Sequence, residues 1–106
     1  MSEWVKIAAL SELEPDCPKR VKLDGYDIAL YLVESGVYAT DNICSHAFAL
    51  LSDGLLDGYE IVCSLHSGSF DIRTGEAMSP PCFEPIRTYE CRVEDGNVLV
   101  KMTAGT

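Results

Sequence analysis

The sequence predicts an all-β protein: an antiparallel β-sandwich base with a small loop-rich unit inserted between its strands. Apolar and polar residues alternate in short runs, which is the period of a half-buried strand. Turn dipeptides such as Ser35-Gly36 separate these runs. Only residues 11–14 offer a helical turn, with Ser11 as the N-cap and Glu14 as its capping-box partner.

Eight strands are expected, each bounded by turn residues that adopt a positive φ at little cost. The first is predicted at residues 4–8. Residues 20–23 and 27–33 flank Asp24-Gly25, and residues 36–40 follow Ser35-Gly36. After a further turn at Asp53-Gly54, residues 59–63 follow Asp57-Gly58, and residues 69–72 precede Thr74-Gly75. Residues 86–93 and 97–102 flank Asp95-Gly96.

The length of the chain predicts a single domain over residues 1–106, large enough to form a core without disulfides. The segment from about 43 to 85 differs from its flanks. It carries three of the five prolines, at positions 80, 81 and 85. We expect it to form the inserted unit, while both ends of the chain supply the base.

The charge balance excludes several classes of partner. Lys and Arg total 8 against 17 Asp and Glu, which gives a net charge of -9. Such a chain repels nucleic-acid phosphates and anionic lipids and favours a basic protein partner. The start, Met1 to Trp4, has no secretory pattern, and the longest apolar stretch is too short to span a bilayer. A soluble cytoplasmic protein is therefore expected, with no nucleic-acid or membrane partner.

Both histidines of the chain lie within three residues of a cysteine. Cys44-Ser45-His46 forms the first pair, and Cys63-Ser64-Leu65-His66 forms the second after sixteen intervening residues. Two such pairs indicate a four-ligand metal site, and their unequal spacing suits two short loops better than one helix. Zinc also takes two cysteines and two histidines, but its sites usually pair like with like. In a third interpretation these are ordinary packing residues without a metal.

The pattern C-x-H-x16-C-x2-H resembles the Rieske signature, in which two cysteines hold one iron of a [2Fe-2S] cluster and two histidines hold the other. Further segments are similar to the Rieske ferredoxins of bacterial aromatic-ring-hydroxylating dioxygenase systems. These segments are Tyr38-Ala39-Thr40-Asp41-Asn42-Ile43, Ser52-Asp53-Gly54, Ser69-Phe70-Asp71-Ile72-Arg73-Thr74-Gly75 and Pro85-Ile86-Arg87-Thr88-Tyr89. The similarity spans nearly the whole chain.

This resemblance implies one [2Fe-2S] cluster, with Cys44 and Cys63 on the inner iron and His46 and His66 on the outer iron. It also implies an electron carrier in aromatic hydrocarbon catabolism. Its partners would be an NAD(P)H-dependent flavoprotein ferredoxin reductase, which supplies electrons, and a terminal oxygenase, which receives them.

The resemblance to the high-potential Rieske proteins of respiratory complexes is weaker. Those proteins join their two loops by a disulfide, and the matching positions here are Ala49 and Leu65. They also direct a serine and a tyrosine hydroxyl at cluster sulfurs, where this chain has Gly68 and Phe70. These differences imply a low redox potential.

An enzyme is disfavoured by the histidine count. Catalytic subunits of Rieske oxygenases need a further iron held by two histidines and a carboxylate, and no histidine remains here after the cluster is ligated. Two alternatives stay open: a small accessory subunit of an assimilatory nitrite reductase, which often lacks the ligands, and a zinc-stabilised interaction module.

Overall fold

The computed structural model describes residues 2–23, 25–43, 50–63, 68–79 and 85–103, which form eleven strands and two short 3-10 turns. The strands are β1 Ser2–Ala9, β2 Lys19–Leu23, β3 Tyr26–Val33, β4 Gly36–Asp41, β5 Leu55–Asp57, β6 Glu60–Val62, β7 Ser69–Asp71, β8 Ala77–Ser79, β9 Thr88–Tyr89, β10 Cys91–Glu94 and β11 Asn97–Thr103. Every ladder between these strands is antiparallel, so the all-β prediction is confirmed.

The strands form three sheets. The first has the order β1-β11-β10 and draws on both ends of the chain, as expected for the base. The second has the order β2-β3-β4-β9, and the third has the order β5-β6-β7-β8. All four strands of the third sheet lie between β4 and β9 in sequence. The third sheet is therefore inserted into the second.

Strand β3 separates two hydrophobic cores, because its central residues are buried on both faces. Ile28 and Leu30 pack in the cluster shared with the first sheet, and Ala29 and Tyr31 pack in the cluster shared with the third. The first cluster also contains Ala8, Leu13, Ala39, Tyr89, Val98 and Val100. The second also contains Leu51, Leu56, Ile61, Cys63, Phe70, Ile72 and Ile86. The inserted sheet thus packs on the same strand that supports the base.

The strand predicted at residues 86–93 is two strands in different sheets. Strand β9 pairs with β4, whereas β10 pairs with β11. The break falls at Glu90, whose carbonyl oxygen accepts the N–H of Lys101 at 2.9 Å. Strands β5 and β8, of three residues each, were not predicted.

The predicted helical turn lies earlier than expected. A 3-10 turn spans Leu10–Glu12, and the carboxylate of Glu12 accepts the N–H of Ala9 at 2.7 Å. Glu12 therefore takes the capping role predicted for Glu14, and Glu14 instead forms a bridge with Cys17. No helical segment within the described ranges has the length and apolar content to cross a membrane.

Candidate metal centre

Of the four predicted ligands, the structure describes Cys63. Its side chain is only 1% exposed, it is not in a disulfide, and it directly follows β6. Cys44, His46 and His66 lie outside the described residues, as does Cys82. The residues just before and just after these positions are described, and their backbone contacts show how each ligand-bearing segment is held at its two ends.

The segment that contains the first pair is closed at its base by backbone contacts. Ile43 and Leu50 form an antiparallel bridge, and the carbonyl oxygen of Asn42 accepts the N–H of Leu51 at 2.7 Å. The chain therefore leaves and returns at one point, with Cys44 immediately after that point in sequence.

The segment that contains the second pair is closed in a similar way. The N–H of Cys63 donates to the carbonyl oxygen of Gly68 at 2.7 Å, and Val62 pairs with Ser69 in the ladder between β6 and β7. Only four residues, 64–67, separate the two ends of this closure, and His66 is one of them.

Gly54 lies close to residues of both backbone closures, the first formed by Asn42 and Leu51 and the second by Cys63 and Gly68. A Cβ atom at this position would collide with the carbonyl oxygen of Val62 and would lie 3.1 Å from the carbonyl oxygen of Leu51. Leu51 belongs to the first closure, and Val62 directly precedes Cys63. The turn expected at Asp53-Gly54 does not require a positive φ, because Gly54 has a φ of -87°. The glycine is needed for space.

A third segment, residues 80–84, begins beside the second closure. Ser79 pairs with Ser69 across β7 and β8. On its far side, the N–H of Ile86 donates to the carbonyl oxygen of Gly75 at 2.9 Å. Gly75 has a φ of +80°, and a Cβ atom there would collide with the carbonyl oxygen of Ile86. All three closures thus fall in or beside the inserted sheet.

The surroundings of Cys63 are apolar. It belongs to the core cluster that contains Ile61 and Phe70, and Phe70 is fully buried. Neither Gly68 nor Phe70 carries a hydroxyl group. A buried thiol at the base of a histidine-containing segment suits a soft, thiolate-preferring metal group and not a hard cation, which takes oxygen ligands. The donor set therefore fits an iron-sulfur cluster.

The other described cysteines have different surroundings. Cys17 is exposed, and Cys91 is partly buried against the base core. Burial raises the pKa of the Cys91 thiol to about 12, which makes it a poor nucleophile and a poor ligand. No group of three or more His, Cys, Asp or Glu side chains with metal-binding geometry occurs in the described part of the chain.

Comparison with known proteins decides the family. A model of the Rieske [2Fe-2S] domain matches residues 3–90. The chain belongs to the Rieske ferredoxin family. It is 44% identical over 99 residues to the ferredoxin component of the naphthalene 1,2-dioxygenase/salicylate 5-hydroxylase systems of Ralstonia sp, covering 93% of this chain and 95% of that protein. This Rieske ferredoxin is therefore an electron carrier with one Rieske-type [2Fe-2S] cluster, and the prediction that it is not itself an enzyme is confirmed.

Solved structures agree with this assignment. The Sphingomonas yanoikuyae B1 ferredoxin superposes on this Rieske ferredoxin with a TM-score of 0.90 at 37% identity, covering 95% of this chain and all of that one. The ferredoxin in a complex of reduced oxygenase and oxidised ferredoxin of carbazole 1,9a-dioxygenase superposes with a TM-score of 0.86 at 40% identity, covering 92% and 91%. A small subunit of a nitrite reductase from Mycobacterium tuberculosis, at 21% identity, shares the fold alone.

The roles of two residues in this Rieske ferredoxin are not apparent from its sequence. Asn42 lies in a segment similar to the family, and Gly54 lies in another such segment and in a predicted turn. Their roles depend on contacts with residues distant in sequence, and no local pattern signals such contacts.

Proposed function

We propose that Cys44, His46, Cys63 and His66 hold the [2Fe-2S] cluster, with the two cysteines on one iron and the two histidines on the other. The support is the closure of both ligand-bearing segments at adjoining points, with Gly54 between them. The burial of Cys63 adds to it. Residues 43–85 then act as the cluster-binding unit of a single domain, carried on strand β3.

The cluster, when bound, supplies a site that accepts and releases one electron at a time. The chain supplies the surroundings. Its third sheet contributes to a mainly apolar core that contains Ile61, Phe70 and Cys63 itself, which keeps water away from the Cys63 side of the site. Two thiolates and two neutral imidazoles leave the oxidised centre uncharged, so adding an electron costs less than at a centre held by four thiolates.

We propose that the protein accepts electrons from an NAD(P)H-dependent flavoprotein reductase and passes them to the terminal oxygenase of an aromatic-ring-hydroxylating dioxygenase system in the cytoplasm. Relatives named as ferredoxin components of such systems support this proposal, and so does the similar ferredoxin in a complex with its oxygenase. The net charge of -9 favours basic docking surfaces on both partners.

The observation that best supports the function is that Leu51, in the first closure, and Val62, next to Cys63 in the second, both lie against Gly54. The experiment is reconstitution with a reductase, NADH and a naphthalene-type oxygenase. Product should form only when the ferredoxin is present, and the initial rate of electron delivery should fall as salt is raised, since exposed charges are screened. Cys63→Ala, without a cluster, should support no turnover.

The competing accessory-subunit function has its own outcome. Restoration of nitrite-dependent NADH oxidation to a nitrite reductase lacking its small subunit, with no oxygenase turnover, would overturn the proposal. A rate of oxygenase reduction that does not change with salt concentration would contradict the proposed electrostatic contribution to docking.

A further inference from the structure

Asn42 is a fully buried polar residue at the base of the first ligand-bearing segment. Its backbone N–H donates to the carbonyl oxygen of Asp27 at 2.8 Å, and its carbonyl oxygen accepts the N–H of Leu51 at 2.7 Å. Its side-chain oxygen accepts the N–H of Ser52 at 2.7 Å, and its side-chain nitrogen donates to the Asp27 carboxylate at 3.0 Å. One residue therefore ties both sides of the closure to strand β3.

The Asp27 carboxylate, which accepts a hydrogen bond from Asn42, is itself held by Arg20. Its Oδ1 accepts from both Asn42 and Nε of Arg20, the latter at 3.0 Å, and its Oδ2 accepts from Nη2 of Arg20 at 2.7 Å. Asp27 lies on β3 next to the buried run that separates the two cores. The guanidinium group thus orients the carboxylate, and the carboxylate orients the amide of Asn42.

We infer that Asn42 is a positioning residue for the cluster, which sets the placement of Cys44 and His46 through its hydrogen bonds to Asp27 and Ser52. This inference rests on the ligand assignment proposed above. The ladders of β3 with β2 and β4 do not include Asn42, so its side-chain hydrogen bonds act on the closure at the base of the first ligand-bearing segment.

The site requires an amide because the two contacts of the side chain have opposite polarity. One atom must donate to a carboxylate and the other must accept from a backbone N–H. An aspartate at residue 42 would keep the acceptor but would place a second carboxylate against Asp27 in a buried setting, where like charges repel strongly. An aliphatic residue would leave the N–H of Ser52 without this acceptor and would remove one of the hydrogen bonds to the Asp27 carboxylate.

The test compares three variants by the rate at which a chelator bleaches the visible absorbance of the oxidised protein. Asn42→Asp should lose its cluster about tenfold faster than the wild type, since one buried bond is replaced by a repulsion. Asn97→Asp, at the other asparagine of the chain, makes the same chemical change in β11 and should behave as wild type. The double variant Asp27→Asn with Asn42→Asp restores a donor and an acceptor between residues 27 and 42 with reversed polarity. It gives up the bond from Nε of Arg20 to Oδ1, so it should recover only part of the lifetime, but more than Asn42→Asp alone retains.

A second measurement separates positioning from general stability. Val98→Ala truncates a fully buried residue of the base core and should lower the thermal midpoint without touching the closure. The g-values of the reduced cluster should shift in Asn42→Asp but not in Val98→Ala. The inference is overturned if Asn42→Asp matches Asn97→Asp in cluster loss, or if Val98→Ala reproduces both its lifetime and its spectrum.

The ligand assignment fails in a different way. A cluster retained by Cys44→Ala would remove that assignment, whatever Asn42→Asp does. A normal cluster in wild type and Asn42→Asp alike would remove only the role of Asn42.

Discussion

Gly54 lies directly against the carbonyl oxygen of Val62, so closely that the position has no room for a Cβ atom. Its φ of -87° is open to any residue, so only the missing side chain matters here. Val62 precedes Cys63, and the carbonyl oxygen of Leu51, in the other closure, would also lie 3.1 Å from such a Cβ atom. The close approach of residue 54 to Val62, next to Cys63, therefore requires a glycine.

Replacing Gly54 by alanine should push the backbone at Val62 away and displace Cys63. We expect a cost of about 1–3 kcal/mol in unfolding free energy, together with a lower iron content per chain. Thermal unfolding and iron analysis measure the two effects. Gly58→Ala is the matched control, since Gly58 has open space around it and a φ of +63°. It should show about 1 kcal/mol of backbone strain and full iron content. Equal iron content in both variants would refute the spacing role of Gly54.

The redox potential should be negative near neutral pH, towards the low end of the Rieske range at about -150 mV. The reason is that Gly68 and Phe70 supply no hydroxyl group to the cluster sulfurs, and Phe70 is fully buried. Gly68→Ser should raise the midpoint on the order of 60 mV if its hydroxyl donates to a sulfide, because such a bond strengthens on reduction. Phe70→Tyr should also raise it. Voltammetry measures both, and a positive wild-type midpoint would exclude this explanation.

Acid should weaken the pair formed by Arg20 and Asp27. Hydrogen bonds from Arg20 are the main reason that the pKa of Asp27 lies below its ordinary value. The resulting stability is present above the unfolded pKa of about 3.9, and it is lost as the pH falls through the lower folded pKa. The difference in thermal midpoint between wild type and Arg20→Gln should hold from pH 7 to about pH 5 and shrink below about pH 4.

The control for this titration is Lys101→Gln, which removes an exposed pair with Glu90. Its effect on the thermal midpoint should be small throughout, as for most surface ion pairs. A difference for Arg20→Gln that grows as the pH falls would contradict the direction of the Asp27 shift.

The sequence predicted the long strands because they are long enough to show a pattern. Strands β3 and β4 lie on either side of the predicted turn at Ser35-Gly36 and form a hairpin. Strands β5 and β8 were not predicted, and they form because Leu55 pairs with Val62 and Ala77 pairs with Phe70, residues of other strands. The sequence also did not predict the break at Glu90. The alternation of apolar residues over 86–93 does not show that β9 pairs with one sheet and β10 with another.

The candidate site was also predicted only in part from the sequence. The ligand pairs were visible because cysteine and histidine at short spacing are a chemical pattern within the sequence itself. The role of Asn42 depends on Asp27, fifteen residues earlier, and the role of Gly54 depends on Val62 in another strand. Such relationships are set by the distance between atoms in the folded chain.

The most direct test of the ligand assignment is paramagnetic resonance of the reduced protein carrying isotopically labelled histidine. The chain has only His46 and His66, so every labelled nitrogen coupled to the cluster must come from one of them. We expect two coupled histidine nitrogens and an average g below that of ferredoxins with four cysteine ligands. A spectrum with one coupled nitrogen or none, or protein that contains zinc without iron, would contradict the four-residue site.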